Sequence, residues 1–172
     1  MIVVSWIKQR FAAWQKRRYE QKMLAKVRSH QGQLHIKRGS GTVLTSNTIL
    51  GRNPNFNGMQ ITGHGIVRFG DNFHSGEGCM IITSFHNYEG KRIPYDDTVI
   101  TKDVTIGDNV WFGNRVIVLG GVTIGEGAIL QAGAVVVNDI PPCGIAGGSP
   151  AKVFKNRDKE HYEKCKAEGL FW

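Results

Sequence analysis

Apolar residues recur at every sixth position over the C-terminal half of the chain, from Ile100 to Val136. A second series of smaller or β-branched residues follows four positions after each member of the first. The first series is Ile100, Ile106, Phe112, Val118, Ile124, Leu130 and Val136, and the second is Val104, Val110, Val116, Val122, Ala128, Ala134 and Ile140. Six residues supply one short strand and one turn, so three units close a three-sided coil. Stacked coils bury a continuous core that no single coil could bury alone, and the period therefore predicts a parallel β-helix.

The same period occurs upstream in a shifted phase, which indicates an insertion between two parts of one repeat array. The upstream series are Phe69, Ser75 and Ile81, followed four positions later by Phe73, Cys79 and Phe85. Residues 84–99, between the two phases, break the period and carry charged residues together with Gly90 and Pro94. This composition predicts a loop extruded from the coil, and loops on rigid scaffolds often carry binding and catalytic residues.

Both ends of the chain predict helix instead of repeat. Residues 2–28 suit a basic amphipathic helix whose apolar stripe consists of Val3, Ile7, Phe11 and Trp14. Residues 157–168 suit a short polar helix that would cap the last open coil, whereas residues 51–58 (GRNPNFNG) contain too many turn formers for a strand interior. The predicted fold is all-β, with a helical arm at 1–35, a β-helix domain at 36–155 and a helical cap at 156–172.

The positive charge is concentrated in the N-terminal arm. The chain has a formal net charge of +8, and residues 1–38 alone hold ten lysines and arginines against the single acid Glu20. Such an arm can meet nucleic acid, an anionic membrane surface or an acidic partner, and a solvated helix face explains it equally well. Because the arm carries no recognisable nucleic-acid motif, we expect no nucleic-acid partner, and contact of residues 1–30 with a membrane stays open.

The expected cellular location follows from the sequence signals for membrane insertion and secretion that we do not find. No apolar run is long enough to span a bilayer, and the apolar start at residues 1–4 is too short for a secretory signal. The three cysteines, Cys79, Cys143 and Cys165, are an odd number without metal-type spacing. These features predict a cytoplasmic protein, with a position at the inner face of the membrane as the open alternative.

Two stretches of the sequence resemble a known family. Residues 107–153 (GDNVWFGNRVIVLGGVTIGEGAILQAGAVVVNDIPPCGIAGGSPAKV) and residues 67–87 (VRFGDNFHSGEGCMIITSFHN) are similar to hexapeptide-repeat acetyltransferases that act on galactosides, maltose and polysaccharides. The resemblance covers about residues 47–155 and leaves the N-terminal arm without a counterpart. It implies a left-handed β-helix, a homotrimer, acetyl-coenzyme A as co-substrate, and a sugar hydroxyl in polysaccharide or lipopolysaccharide biosynthesis as acceptor.

The resemblance places the family's catalytic histidine at His86, at the root of the extruded loop. An alcohol is a poor nucleophile until its proton is removed, and imidazole titrates near neutrality, so His86 can act as general base. Positional match also gives a coenzyme set: Trp111, Asn114, Ala132, Val137, Asn138, Lys152 and Lys155. Related enzymes often carry lysine where Asn138 stands, which puts a phosphate contact there in doubt.

Acceptor-binding candidates come from the turn-rich segment and from the loop. Asn55 and Asn57 offer amides that donate to and accept from sugar hydroxyls, although asparagine is equally at home in turns. On the loop, Tyr88, Glu89 and Tyr95 are further candidates for shaping the acceptor site.

Three alternatives stay open from the sequence. The acceptor could be the amine of an amino sugar or an antibiotic, or the chain could be a non-catalytic β-helix scaffold. Some proteins of this fold are carbonic anhydrases that bind zinc through three histidines. His64, His74 and His86 are spaced by ten and twelve residues, which mismatches that arrangement, and we expect no metal site and solvent-facing positions for His64 and His74.

Overall fold

A computed structural model describes residues 2–37 and 39–172, with side chains of the first helix from Trp6 onward, so the predicted stripe residue Val3 lies outside the described side chains. In the first half of the chain the elements are α1 (Ile2–Leu24), β1 (Ser29–His30), β2 (His35–Ile36), β3 (Thr48–Leu50), β4 (Asn55–Asn57), β5 (Gln60–Thr62), β6 (Val67–Phe69), β7 (His74–Glu77), β8 (Met80–Ile82) and β9 (Ser84–His86). In the second half they are β10 (Val99–Thr101), β11 (Val104–Ile106), β12 (Trp111–Phe112), β13 (Ile117–Leu119), β14 (Thr123–Ile124), β15 (Ile129–Leu130), β16 (Val135–Val136), β17 (Gly144–Gly147), β18 (Lys152–Asn156) and α2 (Lys159–Ala167).

The short strands stack in parallel into three faces of a solenoid of about six turns. The first face has the order β1-β3-β6-β11-β14, the second β2-β4-β7-β12-β15-β17 with β18 antiparallel at its end, and the third β5-β8-β13-β16. The chain passes from the first face to the second, then to the third, and back to the first. We number the corners accordingly: the first corner joins the first and second faces, the second corner joins the second and third, and the third corner joins the third and first.

The six-residue period predicts the core well. The second series is buried throughout, and the first series is buried from Ile106 to Val136, with relative exposures of 0 to 4%. Upstream, Phe56, Phe69 and Phe73 pack their rings 4.7 to 5.4 Å apart, and Phe73 meets Phe112 edge to face at 5.0 Å. Aromatic stacking along the axis therefore links successive coils in the upper half of the solenoid.

Two residues assigned to the repeat lie outside the core. Ile100 belongs to β10, which pairs antiparallel with β9, so the inserted loop begins as a two-stranded hairpin and both Ile100 and Phe85 are only partly buried. The ammonium of Lys102 lies 5.8 Å from the centre of the Phe85 ring. Pairing between the two arms of the loop overrides the six-residue phase at its edges.

The turn-rich segment also differs from its prediction, because residues 55–57 form strand β4. Asn53 takes the turn in the left-handed region with φ 56°, which frees the next residues to extend. Phe56 is fully buried, and β4 pairs with β2 and β7. The burial of one phenyl ring between two neighbouring strands outweighs the turn preference of the flanking asparagines.

A ladder of asparagines runs along the first corner. Asn53, Asn72 and Asn109 all have φ between 54° and 57°, and each side chain bonds the next: Asn53 to Asn72 at 3.2 Å and Asn72 to Asn109 at 3.0 Å. Asparagine suits the position because it tolerates the left-handed region and its amide both donates and accepts. The ladder ties three consecutive coils together.

The C-terminal helix lies along this corner and does not close the end of the solenoid, so the predicted cap is wrong. The phenol of Tyr162 accepts from Asn109 at 2.9 Å and donates to Glu126 at 2.8 Å. Gly127, with φ 69°, leaves room for that ring, since a Cβ there would lie 2.9 Å from it. We call residues 157–172 the strap, because from this anchor they run up the first corner to the level of Asn53.

Strand pairing begins at Ser29, and α1 ends at Leu24, four residues earlier than the predicted helix boundary. The C-terminal end of α1 packs on the top of the core through Met23, which is buried, and Tyr19. The carboxylate of Glu20 accepts from the backbone of Ile36 at 3.2 Å. Neither of the described helices is long and apolar enough to cross a bilayer.

Candidate functional site

His86 lies where the sequence predicts it, on β9 at the base of the inserted hairpin, and its side chain is exposed. Its imidazole stacks on the ring of Tyr95, with centroids 3.9 Å apart and planes 11° from parallel. Among the described residues no hydrogen bond to the imidazole is formed. Both ring nitrogens are therefore free to exchange a proton with a substrate while the stacking fixes the plane of the ring.

A buried carboxylate holds the loop that carries Tyr95. Asp96 accepts from the hydroxyl and backbone N–H of Thr98 and from the backbone N–H of Lys91, at 2.5 to 2.9 Å. These bonds, with the Thr98 hydroxyl first, lower the pKa of Asp96 below its usual range. Gly90 packs so close that a Cβ there would lie 2.2 Å from the carboxylate. The loop is thus organised around one ionised side chain next to the stacked tyrosine.

The outward positions of the second face form a column of polar and aromatic side chains. His35, Asn55, His74 and Trp111 are register neighbours on four successive coils. Trp111 is half exposed, which confirms its predicted outward orientation. His74 is half-buried instead of solvent-facing, and this burial lowers the pKa of its imidazole.

The second corner holds an open cavity of about 800 Å³. It brings together three of the predicted site residues, Asn57, Asn114 and Ala132, with the guanidinium of Arg115 and the Lys37–Glu77 ion pair. The amide of Asn57 already donates to the backbone oxygen of Ser75 at 2.7 Å, and the side-chain oxygen of Asn114 accepts from the backbone of Glu77 at 2.9 Å. These two asparagines therefore serve the scaffold and leave their remaining polar capacity to a ligand.

The other predicted site residues lie elsewhere in the single chain. Tyr88 and Glu89 lie on the loop at the third corner, as does His86. Val137 and Asn138 follow β16 towards the same corner two coils below, and both are exposed. Lys152 and Lys155 lie on β18, at the lower edge of the second face. Within one chain the proposed coenzyme residues are thus spread over the second face, the second corner and the third corner, and only Val137 and Asn138 share a corner with the proposed base, two coils below it.

A second open cavity, of about 690 Å³, lies between the upper second face and the strap and was not predicted from the sequence. Its lining includes His35, His74, Phe171 and Trp172, none of which we expected at a site. The two terminal aromatics in an otherwise polar tail were a signal that could have been used.

The three histidines considered for zinc fall on different parts of the molecule. His64 lies at the third corner, His74 on the second face and His86 on the inserted hairpin. In residues 2–37 and 39–172, no group of three histidine, cysteine or acidic side chains is placed to hold a metal ion.

Comparison with known proteins identifies relatives of the chain. Residues 103–138 match the bacterial transferase hexapeptide family (six repeats). Over 124 residues the chain is 35% identical to galactoside O-acetyltransferase of Escherichia coli K12. The match covers 69% of this chain and 60% of the relative. Matches to curated relatives from Schizosaccharomyces pombe and Staphylococcus aureus cover 45% and 29% of their lengths. The chain thus spans about half or less of some relatives.

Solved structures agree with the sequence matches. A galactoside acetyltransferase in complex with coenzyme A has a TM-score of 0.60 at 27% identity, over 78% of this chain and 67% of that one. A maltose O-acetyltransferase from Clostridium difficile 630 has a TM-score of 0.59 at 25% identity, over 83% and 86%. These likenesses confirm the predicted left-handed β-helix. Residues 103–138 thus carry the repeat of the hexapeptide transferase family, and the chain is similar in fold and sequence to O-acetyltransferases built on that repeat.

Proposed function

We propose that the protein is an acetyl-coenzyme A-dependent acetyltransferase whose acceptor is a sugar hydroxyl. The observation that carries the proposal is His86, an exposed imidazole stacked on Tyr95 at the base of the loop inserted in a hexapeptide-repeat solenoid. Relatives named as galactoside and maltose O-acetyltransferases, one of them solved with coenzyme A, support the acceptor class and the co-substrate.

The chemistry needs one proton carrier. The imidazole of His86 takes the proton of the acceptor hydroxyl as its oxygen attacks the thioester carbonyl, and a tetrahedral oxyanion forms. When the carbon–sulfur bond breaks, the imidazolium returns the proton to the leaving thiolate. Direct transfer of this kind requires no covalent enzyme intermediate, and backbone N–H groups at the glycine-rich turns can stabilise the oxyanion.

The working site is proposed to lie between subunits of a homotrimer. His86, Tyr88 and Glu89 belong to the inserted loop, whereas Trp111, Asn114 and Ala132 belong to the second face and the second corner. A site that uses both sets therefore draws on two copies of the chain. Lys152 and Lys155 on β18, Val137 and Asn138 would extend the coenzyme groove, with the lysines facing its phosphates.

The test of the function is acetyl-coenzyme A turnover with a panel of galactosides, maltose and amino sugars. We expect O-acetylated products from the wild-type chain and a loss of kcat of at least about a hundredfold in His86→Ala, with coenzyme A binding by calorimetry retained. His64→Ala is the matched control, because His64 is exposed and its described bonds involve only its backbone. Products acetylated on nitrogen would show that the acceptor is an amino sugar. Full activity of His86→Ala would refute the role of His86 as general base.

The arm is proposed to hold this enzyme at the anionic cytoplasmic face of a membrane, where lipid-linked glycans are assembled. At 3.6 residues per turn, Ile7, Phe11 and Trp14 share one side of α1, centred about 130° around the helix axis from Tyr19 and Met23, which pack on the solenoid. Trp6, Ile7, Phe11 and Trp14 are each more than half exposed. Arginines stack over two of these rings, Arg10 over Trp6 at 4.7 Å and Arg18 over Trp14 at 5.4 Å. Exposed tryptophans among cations suit an anionic interface.

Vesicle co-sedimentation tests the arm. We expect the full chain to bind phosphatidylglycerol vesicles and not phosphatidylcholine vesicles, and the triple variant Trp6→Ala, Phe11→Ala, Trp14→Ala to lose most of that binding. Phe154→Ala, which removes an exposed aromatic from β18, is the control. Equal sedimentation of the triple variant and the wild type, or self-association of the arm without vesicle binding, would contradict membrane binding by the arm.

A further inference from the structure

The 690 Å³ cavity between the upper second face and the strap has the size of a small-molecule site and is not used by the mechanism above. Its floor is the column of His35, Asn55 and His74 on three consecutive coils. Its opposite wall is the end of the strap, with Phe171 and Trp172. Two separate parts of the chain, more than eighty residues apart in sequence, thus close one cleft.

The floor offers polar groups without internal partners. In the part of the chain that the structure describes, the side chains of His35 and Asn55 form no hydrogen bond. The Nε2 atom of His74 lies at the limit of bonding, 3.5 Å from the amide nitrogen of Asn57. Imidazole and amide groups in this state can donate to and accept from the same ligand.

The wall offers an aromatic face. Trp172 is fixed in two ways: its backbone oxygen accepts from Asn53 at 3.2 Å, and its ring meets His74 edge to face at 5.4 Å. The residue is nevertheless 91% exposed, so most of the indole surface is open. A tryptophan that is held in place in this way, with most of its ring exposed, can serve as a stacking platform for a flat apolar surface.

The charged groups of the cavity are already engaged. Lys166 pairs with Glu126, the guanidinium of Arg157 donates to the backbone oxygen of Gly127 at 2.6 Å, and Asp158 caps α2 by accepting from the N–H of His161. The two cations, Lys166 and Arg157, are balanced in formal charge by Glu126 and Asp158, so the described lining has no net positive charge to attract a phosphate or a carboxylate. The cavity therefore suits a neutral ligand with many hydroxyls and an apolar ring face, which is the chemistry of a saccharide.

We propose that this cavity binds a neutral sugar ring of the acceptor next to the ring that is acetylated, with Trp172 as stacking platform and His35, Asn55 and His74 as hydroxyl partners. The proposal rests on the proposed function. It places the subsite one coil, about 4.8 Å, above Trp111 of the proposed coenzyme site. The preferred acceptor is then an oligosaccharide and not a single sugar.

The decisive comparison is acceptor length against Trp172. With neutral mono- and trisaccharides of glucose and galactose, we expect Trp172→Ala to lower kcat/KM for the favoured trisaccharide by about five- to tenfold and to leave the monosaccharide value unchanged. Trp6→Ala, which removes another exposed indole, on α1, is the control and should change neither value. An equal effect on both acceptor lengths, or no effect on either, would overturn the subsite.

Binding without transfer separates this proposal from the function on which it rests. In the His86→Ala chain, which cannot transfer if the base is correct, the favoured trisaccharide should still shift the indole N–H resonance of Trp172 in nuclear magnetic resonance titrations. A shift in the absence of any turnover by the wild type would support the subsite and refute the proposed acetyltransferase activity. If no trisaccharide of the panel shifts that resonance, the subsite is wrong whatever the enzyme does.

Discussion

At the scale of single residues, the site is built from side chains whose surroundings do most of the positioning. Among the described residues no hydrogen bond orients the imidazole of His86, so its plane is set by the ring of Tyr95. The position of Tyr95 depends in turn on its neighbour Asp96, because the bonds of that carboxylate define the path of the loop. A histidine held by stacking keeps both ring nitrogens available, as the proposed base role requires.

Tyr95 is therefore expected to be a positioning residue. Tyr95→Leu should lower kcat by about tenfold with KM for acetyl-coenzyme A unchanged, because a looser imidazole spends less time aligned with the acceptor proton. Tyr95→Phe keeps the stacking and should retain most of the activity. The imidazole resonances of His86 should move in the leucine variant and not in the phenylalanine variant. Equal rates for all three proteins would show that the stacking has no role.

At the scale of elements, the strap is held by one polar junction at the first corner. Tyr162 links Asn109 of the ladder to Glu126, and Lys166 adds an ion pair to the same carboxylate. Burial, together with the Glu126 carboxylate, raises the pKa of the Tyr162 phenol above its usual range. No residue of α2 is buried, so this junction carries much of its attachment.

The junction makes the strap sensitive to acid. The Lys166 ammonium and the Tyr162 hydroxyl hold the pKa of Glu126 below its ordinary value of 4.5. A lowered folded-state pKa contributes stability above pH 4.5, and that contribution is lost as the pH falls through the lowered value. We expect the hydrogen-exchange protection factors of residues 159–167, which are corrected for the intrinsic pH dependence of exchange, to fall on acidification before the solenoid unfolds.

Glu126→Gln is the control for this prediction, since the amide cannot titrate. In that variant the protection factors of α2 should be lower at neutral pH and should change little between neutral pH and pH 4. An acid response as large in the variant as in the wild type would assign the effect to other carboxylates, such as Asp71 or Asp103.

At the scale of the whole molecule, the proposed homotrimer would join the loop half-site of one subunit to the groove half-site of its neighbour. His86→Ala destroys the loop half, and Ala132→Trp would fill the groove half at the second corner. Each variant alone should be inactive. Mixed trimers formed by refolding the two together should recover about a quarter of the wild-type activity, because one arrangement in four joins two intact halves. Recovery of none would place both halves in the same subunit.

The solenoid could be predicted and the strap could not, for a physical reason. The inward positions of the coils between Val104 and Ile140 are apolar, so this part of the core appears in the sequence as a six-residue period. The hairpin at Phe85 and Ile100 departs from that period because strand pairing within the loop outweighs it. The strap has no buried residue, so nothing in its sequence says which corner it follows. His86 was predictable from resemblance, whereas the cleft beside Trp172 depends on contacts distant in sequence.

Because the strap is attached at both ends, its length must match the number of coils between its two attachment points. Nine residues of helix rise about 13.5 Å, and the three coil steps from Glu126 to Asn53 span about 14 Å. A relative with one more coil in that interval would leave Trp172 a full step short of His74. Growth of the solenoid by duplication of a coil, otherwise harmless to its core, would therefore have to be matched by a lengthened tail, or the cleft would be lost.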